Sequence, residues 1–187
     1  MATNNQNKLK EAREIFSSLG IEIISQKEAG ANINPEENGK TFAENALIKA
    51  RAVYDLLKCP VIADDSGLCV DALDGRPNVY SARYAPEGKQ CEKLLQELKH
   101  IPENQRTAQF VAVIAFLDEN GKETLCEGVC QGTIGFEEVG TNGFGYDPIF
   151  LYQGKSFAEL SSEEKNAISH RGLALRKLYE ILKERSM

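Results

Sequence analysis

Along the first twenty residues apolar side chains recur at helical spacing. Leu9, Ala12, Phe16 and Leu19 share one face, and Gly20 offers a C′ stop. IEIIS then predicts a short strand, and NINPEENGK a polar loop. TFAENALIKARAVYDLLK opens on a Thr41-x-x-Glu44 capping box. It predicts a helix with Ala43, Leu47, Ala50, Tyr54 and Leu57 on one face. PVIAD predicts a brief strand that stops at Asp64 and Asp65, and EKLLQELK a helix. TAQFVAVIAFLDENGKETLCEGVCQGTIG predicts a long hairpin turning at Asn120-Gly121, a pair suited to a type I′ turn. TNGFGYDPIF is a glycine-punctuated loop leading into a strand. Ser161-x-x-Glu164 marks a second capping box, with helix from there to the end. Helices and strands mix around one antiparallel hairpin, so the fold class is α/β with a mixed sheet. With no repeat, linker or low-complexity tract, residues 1–187 are expected to form a single domain.

Composition narrows this picture in four ways. Hydrophobic residues at 42% and charged residues at 27% exclude a disordered chain. A net charge of −6 argues against a nucleic-acid partner, whose binding faces are usually basic. No apolar run is long enough to span a membrane and no signal-peptide layout opens the chain, so neither membrane association nor secretion is expected. Five cysteines (Cys59, Cys69, Cys91, Cys126 and Cys130) form no C-x-x-C pair. That suits a reduced cytoplasm, with all five structural or incidental.

Candidate chemistry concentrates in five places. VIADDSGLCVDALDG sets Asp64 and Asp65 side by side at an apolar strand end, where α/β sheets bind ligands; the pair is either a solvated turn or a divalent-metal site. Glu36 and Glu37 precede a helix, where they complement its dipole or add a metal ligand. TNNQNK offers Asn4 or Asn5 as an N-cap, and the same geometry attracts phosphate, with Lys8 adding a point charge; it lacks the glycines of a Walker loop. In GTNGFGYDPIF, Phe144 or Tyr146 either plugs the core or stacks on a base. EEKNAISHRG brings Lys165, His170 and Arg171 together as a solvated face or as donors to an acceptor-rich ligand edge.

Thr3-x-Asn5-x-x-Lys8, TFAENALIKA, ADDSGL, YSARYA, GFGYDPIF and KNAISHRG follow one another as in the inosine triphosphate pyrophosphatase family, and the chain resembles that family over nearly its whole length. The resemblance implies an elongated mixed β-sheet flanked by helices, a Mg²⁺-dependent cytoplasmic homodimer, and a small-molecule substrate. It implies hydrolysis of ITP, dITP and XTP to the monophosphate and pyrophosphate. By resemblance, Thr3, Asn4, Asn5, Gln6, Asn7 and Lys8 form the triphosphate loop, and Glu37 and Asp65 bind the metal. Asp65 is also the proton acceptor, and Asp64 supports it from behind. Ser66, Phe144, Gly145, Tyr146, Asp147, Lys165, His170 and Arg171 are expected to touch substrate. Donors from Lys165, His170 or Arg171 aimed at purine position 6 would favour an oxo group over an amino group.

Two departures from the family pattern carry expectations. Pro77-Asn78 stands where Pro-Gly is usual, and Asn is the residue next most tolerant of a left-handed turn. Only Met1 and Ala2 precede the loop where a first strand belongs. The strand is therefore expected to be truncated, either because Met1 lies downstream of the original start or because the sheet tolerates the loss. Two rival readings remain at this level: a Maf-like pyrophosphatase for modified pyrimidine triphosphates, and a non-catalytic nucleotide-binding module.

Overall fold

The computed structural model describes residues 1–17 and 20–186, so Leu19, expected on the first helix's buried face, lies outside the described residues. Five helices and five strands are named here: α1 Gln6–Ser17, α2 Phe42–Leu57, β1 Val61–Val70, α3 Gln90–Glu97, β2 Thr107–Leu117, β3 Glu123–Ile134, β4 Phe150–Tyr152, β5 Lys155–Ser156, α4 Ser162–Ile168 and α5 His170–Ser186. The strands lie in the sheet in chain order, β1-β2-β3-β4-β5. β3–β4 and β4–β5 pair antiparallel, while Ala2 adds a parallel bridge to Ala63. The sheet is therefore mixed, as the pattern implied. Among the described residues no helix is long and apolar enough to cross a membrane, and none of the five cysteines is in a disulfide.

Two compact units divide the chain. The first comprises Met1–Asp65, Ala112–Gly128 and His170–Met187. Its core gathers Leu9, Phe16, Ile62, Ile114, Leu175 and Leu178. The expected stop at Gly20 forms a Schellman closure, in which Ile21 N–H donates to Phe16 O and Gly20 N–H to Ser17 O, both at 3.1 Å. Met1 and Ala2 are tethered on both sides. Ala2 N–H donates to Ile62 O at 2.7 Å, and on the other side the Met1 amine donates to Ile24 O and Gln26 N–H to Met1 O. This explains why IEIIS, expected as a strand, is not one: its neighbour is too short to build a ladder.

Three further expectations are corrected in this unit. α2 keeps its capping box, with Glu44 N–H on Thr41 Oγ1 and Thr41 N–H on Glu44 Oε2. Its buried stripe, however, is Phe42, Asn45, Ala46, Ala50 and Val53, while Ala43, Leu47, Tyr54 and Leu57 are only half-buried. The helix is rotated because polar Asn45 and Lys49 have partners on the inner side. β1 does not stop at the aspartates but runs on to Val70. The β2–β3 turn is not type I′, because Gly121 has positive φ (75°) and Asn120 does not. Gly121 N–H donates to Asp118 O and Asp118 N–H to Lys122 O, the pattern of a three-residue loop whose last residue is left-handed. The Asp118 carboxylate takes the Asn120 and Lys122 amides and fixes that choice.

The second unit comprises Ser66–Val111 and Val129–Ser169. Phe110, Phe150 and Phe157 pack ring on ring at its centre, with centroids 4.5 Å apart for Phe110–Phe150 and 4.9 Å for Phe150–Phe157. Asn78 adopts φ 54°, so the left-handed turn survives the Asn. Arg106 is buried and distributes its guanidinium over four carbonyls: Ile134, Leu98, Ile101 and Gly135. It thereby ties the loop after α3 to the end of β3, and Phe136 lies on its open face. Arg106→Met would leave those carbonyls without their donor. It should cost about 3 kcal/mol of stability, read as a lower urea midpoint at unchanged m-value; a loss below about 1 kcal/mol would contradict this account.

Candidate active site

In the first unit the polar residues of the opening segment organise the start of α1. Asn5 is its N-cap: Oδ1 accepts the Asn7 and Lys8 amides at 3.0 and 3.1 Å, and Thr3 Oγ1 accepts the Asn5 amide. Asn4 Oδ1 accepts from Gln26 Nε2, which ties the loop to the chain behind it. Gln6 and Asn7 are exposed. Two of the helix-start amides expected to meet phosphate are thus already donating to Asn5. This leaves Lys8 as the cation through which the loop can act on an anion.

Lys8 extends to Asp64, with Nζ 2.5 Å from Oδ1. Asp64 is closed to water and also meets Arg171, with Nε 2.9 Å from Oδ2 and Nη2 3.4 Å from Oδ1. Arg171 in turn donates from Nη1 to Glu11 Oε2. Burial works to raise the Asp64 pKa, but Arg171 and Lys8 outweigh it and hold the carboxyl well below the usual range. Burial lowers the Lys8 ammonium despite Asp64. The Arg171 guanidinium is buried against two carboxylates, because a charge so placed requires opposite charge. His170 is likewise buried, at the first position of α5.

Asp65 points the other way along β1, as neighbouring strand residues must. Its Oδ2 accepts from Asn45 Nδ2 at 3.3 Å and its Oδ1 from Lys49 Nζ at 3.1 Å. The same Lys49 ammonium is 2.8 Å from Glu37 Oε2, whereas Glu36 is exposed. Burial, with Glu37 adding, raises the Asp65 pKa over the opposing pull of Lys49 and Lys8. Glu37 and Asp65 therefore converge on one cationic centre with hard oxygen donors, the kind Mg²⁺ takes. Among the described residues no three His, Cys, Asp or Glu side chains form a ready-made metal cage. Mg²⁺ does not need one, since one or two carboxylates plus waters and phosphates suffice.

In the second unit the GFGYD loop is built around Asp147, which is buried. Its Oδ2 accepts the Phe144 amide at 2.8 Å and Lys165 Nζ at 2.6 Å. Gly143 has φ +72°, and a Cβ there would fall 2.0 Å from Asp147 Oδ2, so only glycine lets the loop close on that carboxylate. The Lys165 ammonium lies 4.7 Å from the centre of the half-buried Phe144 ring. Tyr146 is buried in the core, and its hydroxyl donates to Ser81 O. Gly145 is exposed; its carbonyl accepts the Cys91 thiol, which burial pushes up to about 12. Ser66 is half-buried in β1.

Sequence reasoning missed Glu11, Asn45 and Lys49. Each left a trace: Glu11 falls one turn after Lys8 on α1, and Asn45 and Lys49 interrupt an apolar stripe at i,i+4 spacing.

A sequence model of the Ham1 family matches residues 1–181. A dITP/XTP pyrophosphatase of Haemophilus influenzae is 51% identical over 183 residues, covering 94% of this chain and 93% of its own. One from Escherichia coli strain K12 is 45% identical over 191 residues, covering 98% and 96%. Among solved structures, a HAM1 protein from Coxiella burnetii superposes with a TM-score of 0.86 at 43% identity over 97% of this chain and 96% of that one. The Ham1 protein of Staphylococcus aureus gives 0.86 at 42%, covering 98% and 97%. On family model, relatives and fold together, the chain belongs to the Ham1 family.

Proposed function

We propose that this protein hydrolyses non-standard purine nucleoside triphosphates, ITP, dITP and XTP, to the monophosphate and pyrophosphate. The observation that carries the reading is the convergence of Glu37 and Asp65 on the Lys49 ammonium. It occurs in a chain whose relatives across nearly its full length are named dITP/XTP pyrophosphatases. In this reading residues 1–187 act as one domain of a cytoplasmic homodimer, with neither nucleic acid nor membrane as partner.

Asp65 is the proton acceptor. A carboxylate near its ordinary pKa is a feeble base, and the burial that raises Asp65 makes it a better one. The water oxygen bonds to the α-phosphorus in line, and the bond from that phosphorus to the bridging oxygen breaks. Pyrophosphate departs with the electron pair while Asp65 takes the water proton. Glu37 and Asp65 hold Mg²⁺, which when bound shields the phosphate charges and acidifies water. Lys8 offsets charge on the departing pyrophosphate, with Thr3, Asn4, Asn5, Gln6 and Asn7 shaping the loop. Asn45 orients Asp65, and Lys49 balances the two carboxylates.

Base contacts in this reading come from Phe144, which offers a ring face for stacking, from Ser66 and Gly145, and from Lys165, which donates to a 6-oxo oxygen. Asp147 and Phe144 fix the direction of that donor. An amino group at position 6 leaves it unpaired, and the 2-amino group of guanine is rejected by crowding or by facing donors that it leaves unpaired.

Asp65→Asn should lower kcat about 10²–10⁴-fold with an unchanged thermal midpoint; near-normal turnover by the purified variant would remove Asp65 from its role. Pyrophosphate release from ITP, XTP, dUTP, GTP and ATP compared side by side should favour ITP over ATP by about tenfold or more. Equal kcat/KM for GTP and ITP would overturn the specificity account. Chelation by EDTA should abolish turnover, and Mg²⁺ should restore it; activity that survives chelation excludes the metal.

A further inference from the structure

Arg171 meets Asp64 as an uneven fork. Nε lies 2.9 Å from Oδ2, but Nη2 stands off at 3.4 Å from Oδ1. Lys8 Nζ holds that same Oδ1 at 2.5 Å. A guanidinium and a carboxylate left to themselves close two parallel, equal bonds. Here the remaining edge of the guanidinium is drawn toward Glu11, whose Oε2 accepts from Nη1 at 2.5 Å. Glu11 is itself buried and lies on the same helix as Lys8, one turn further along. The four side chains form an alternating series of charge, with Glu11 at one end and Lys8 at the other.

We propose that Glu11 is a positioning residue for the triphosphate. By holding Nη1 it keeps Arg171 from closing on Asp64 Oδ1 and reserves that oxygen for Lys8. The Lys8 ammonium is thereby fixed in the direction from which it meets pyrophosphate. The inference rests on the reading of Lys8 as a triphosphate ligand. Reach matters more than charge in this arrangement. A side chain that still touches Nη1 preserves the uneven fork even when neutral, and a shorter carboxylate does not.

Two conservative variants separate these properties, with affinity for inorganic pyrophosphate in the presence of Mg²⁺ measured by titration calorimetry. Glu11→Asp, which keeps the charge and loses the reach, should weaken binding about tenfold, and Glu11→Gln, which keeps the reach, should stay within about threefold of the parent. In a Lys8→Met background each change should alter affinity by less than about twofold, because the residue through which Glu11 acts is gone. Aspartate binding better than glutamine, or equal losses in both backgrounds, overturns the inference; equal losses mark Glu11 as part of the scaffold only. Lys8→Met binding pyrophosphate as the parent does would instead overturn the triphosphate reading of Lys8.

Discussion

Asp64 is shut away from water and stays ionised because Lys8 and Arg171 lie against it. Removing either partner would strand a charge in a poorly solvated place, which typically costs several kcal/mol. The contact therefore fastens the first turn of α1, the middle of β1 and the first turn of α5 to one another. These segments are distant in sequence, with Asp64 and Arg171 separated by 107 positions. The opening loop depends on this fastening more than on a strand. The two residues ahead of it are held by one bridge at Ala2 and a few hydrogen bonds at Met1. Lys8 is held from the far end instead, through its own ammonium.

β1 thus separates two kinds of charge. Asp64 is neutralised by fixed cations and serves as an anchor. Asp65, one residue later, meets Asn45 and Lys49, and burial lifts its pKa rather than lowering it. Identical side chains acquire opposite character because consecutive strand positions face opposite ways. In the second unit Asp147 repeats the anchoring role: one oxygen gathers a backbone amide and an ammonium, and a loop of glycines closes around it.

The capping boxes at Thr41 and Ser161, the hairpin and the mixed sheet were legible because each depends on residues close in sequence. What escaped depends on partners far away. The face of α2 was misjudged because apolar spacing alone cannot reveal that Asn45 and Lys49 turn inward to meet Asp65 and Glu37. β1 was cut short because two aspartates look like a strand end until Lys8 and Arg171 are seen to compensate the first. The turn type followed Asp118, whose carboxylate takes two amides, rather than the Asn-Gly pair itself. Glu11 and Arg106 are each buried against partners that local pattern does not reveal.

The side-by-side placement of Asp64 and Asp65 also bears on how such a chain can change over generations. A connecting loop can gain or lose a residue at its exposed tip without changing which face its flanking elements present. A single codon lost from the first half of β1 has a different effect, because it flips every later side chain to the other face. Asp65 would then be delivered to Lys8 and Arg171, and Ser66 to Asn45 and Lys49. The protein would keep an anchor and lose the carboxylate that faces Asn45 and Lys49 in one step. Length variation in this lineage should therefore be tolerated around β1 and purged within it.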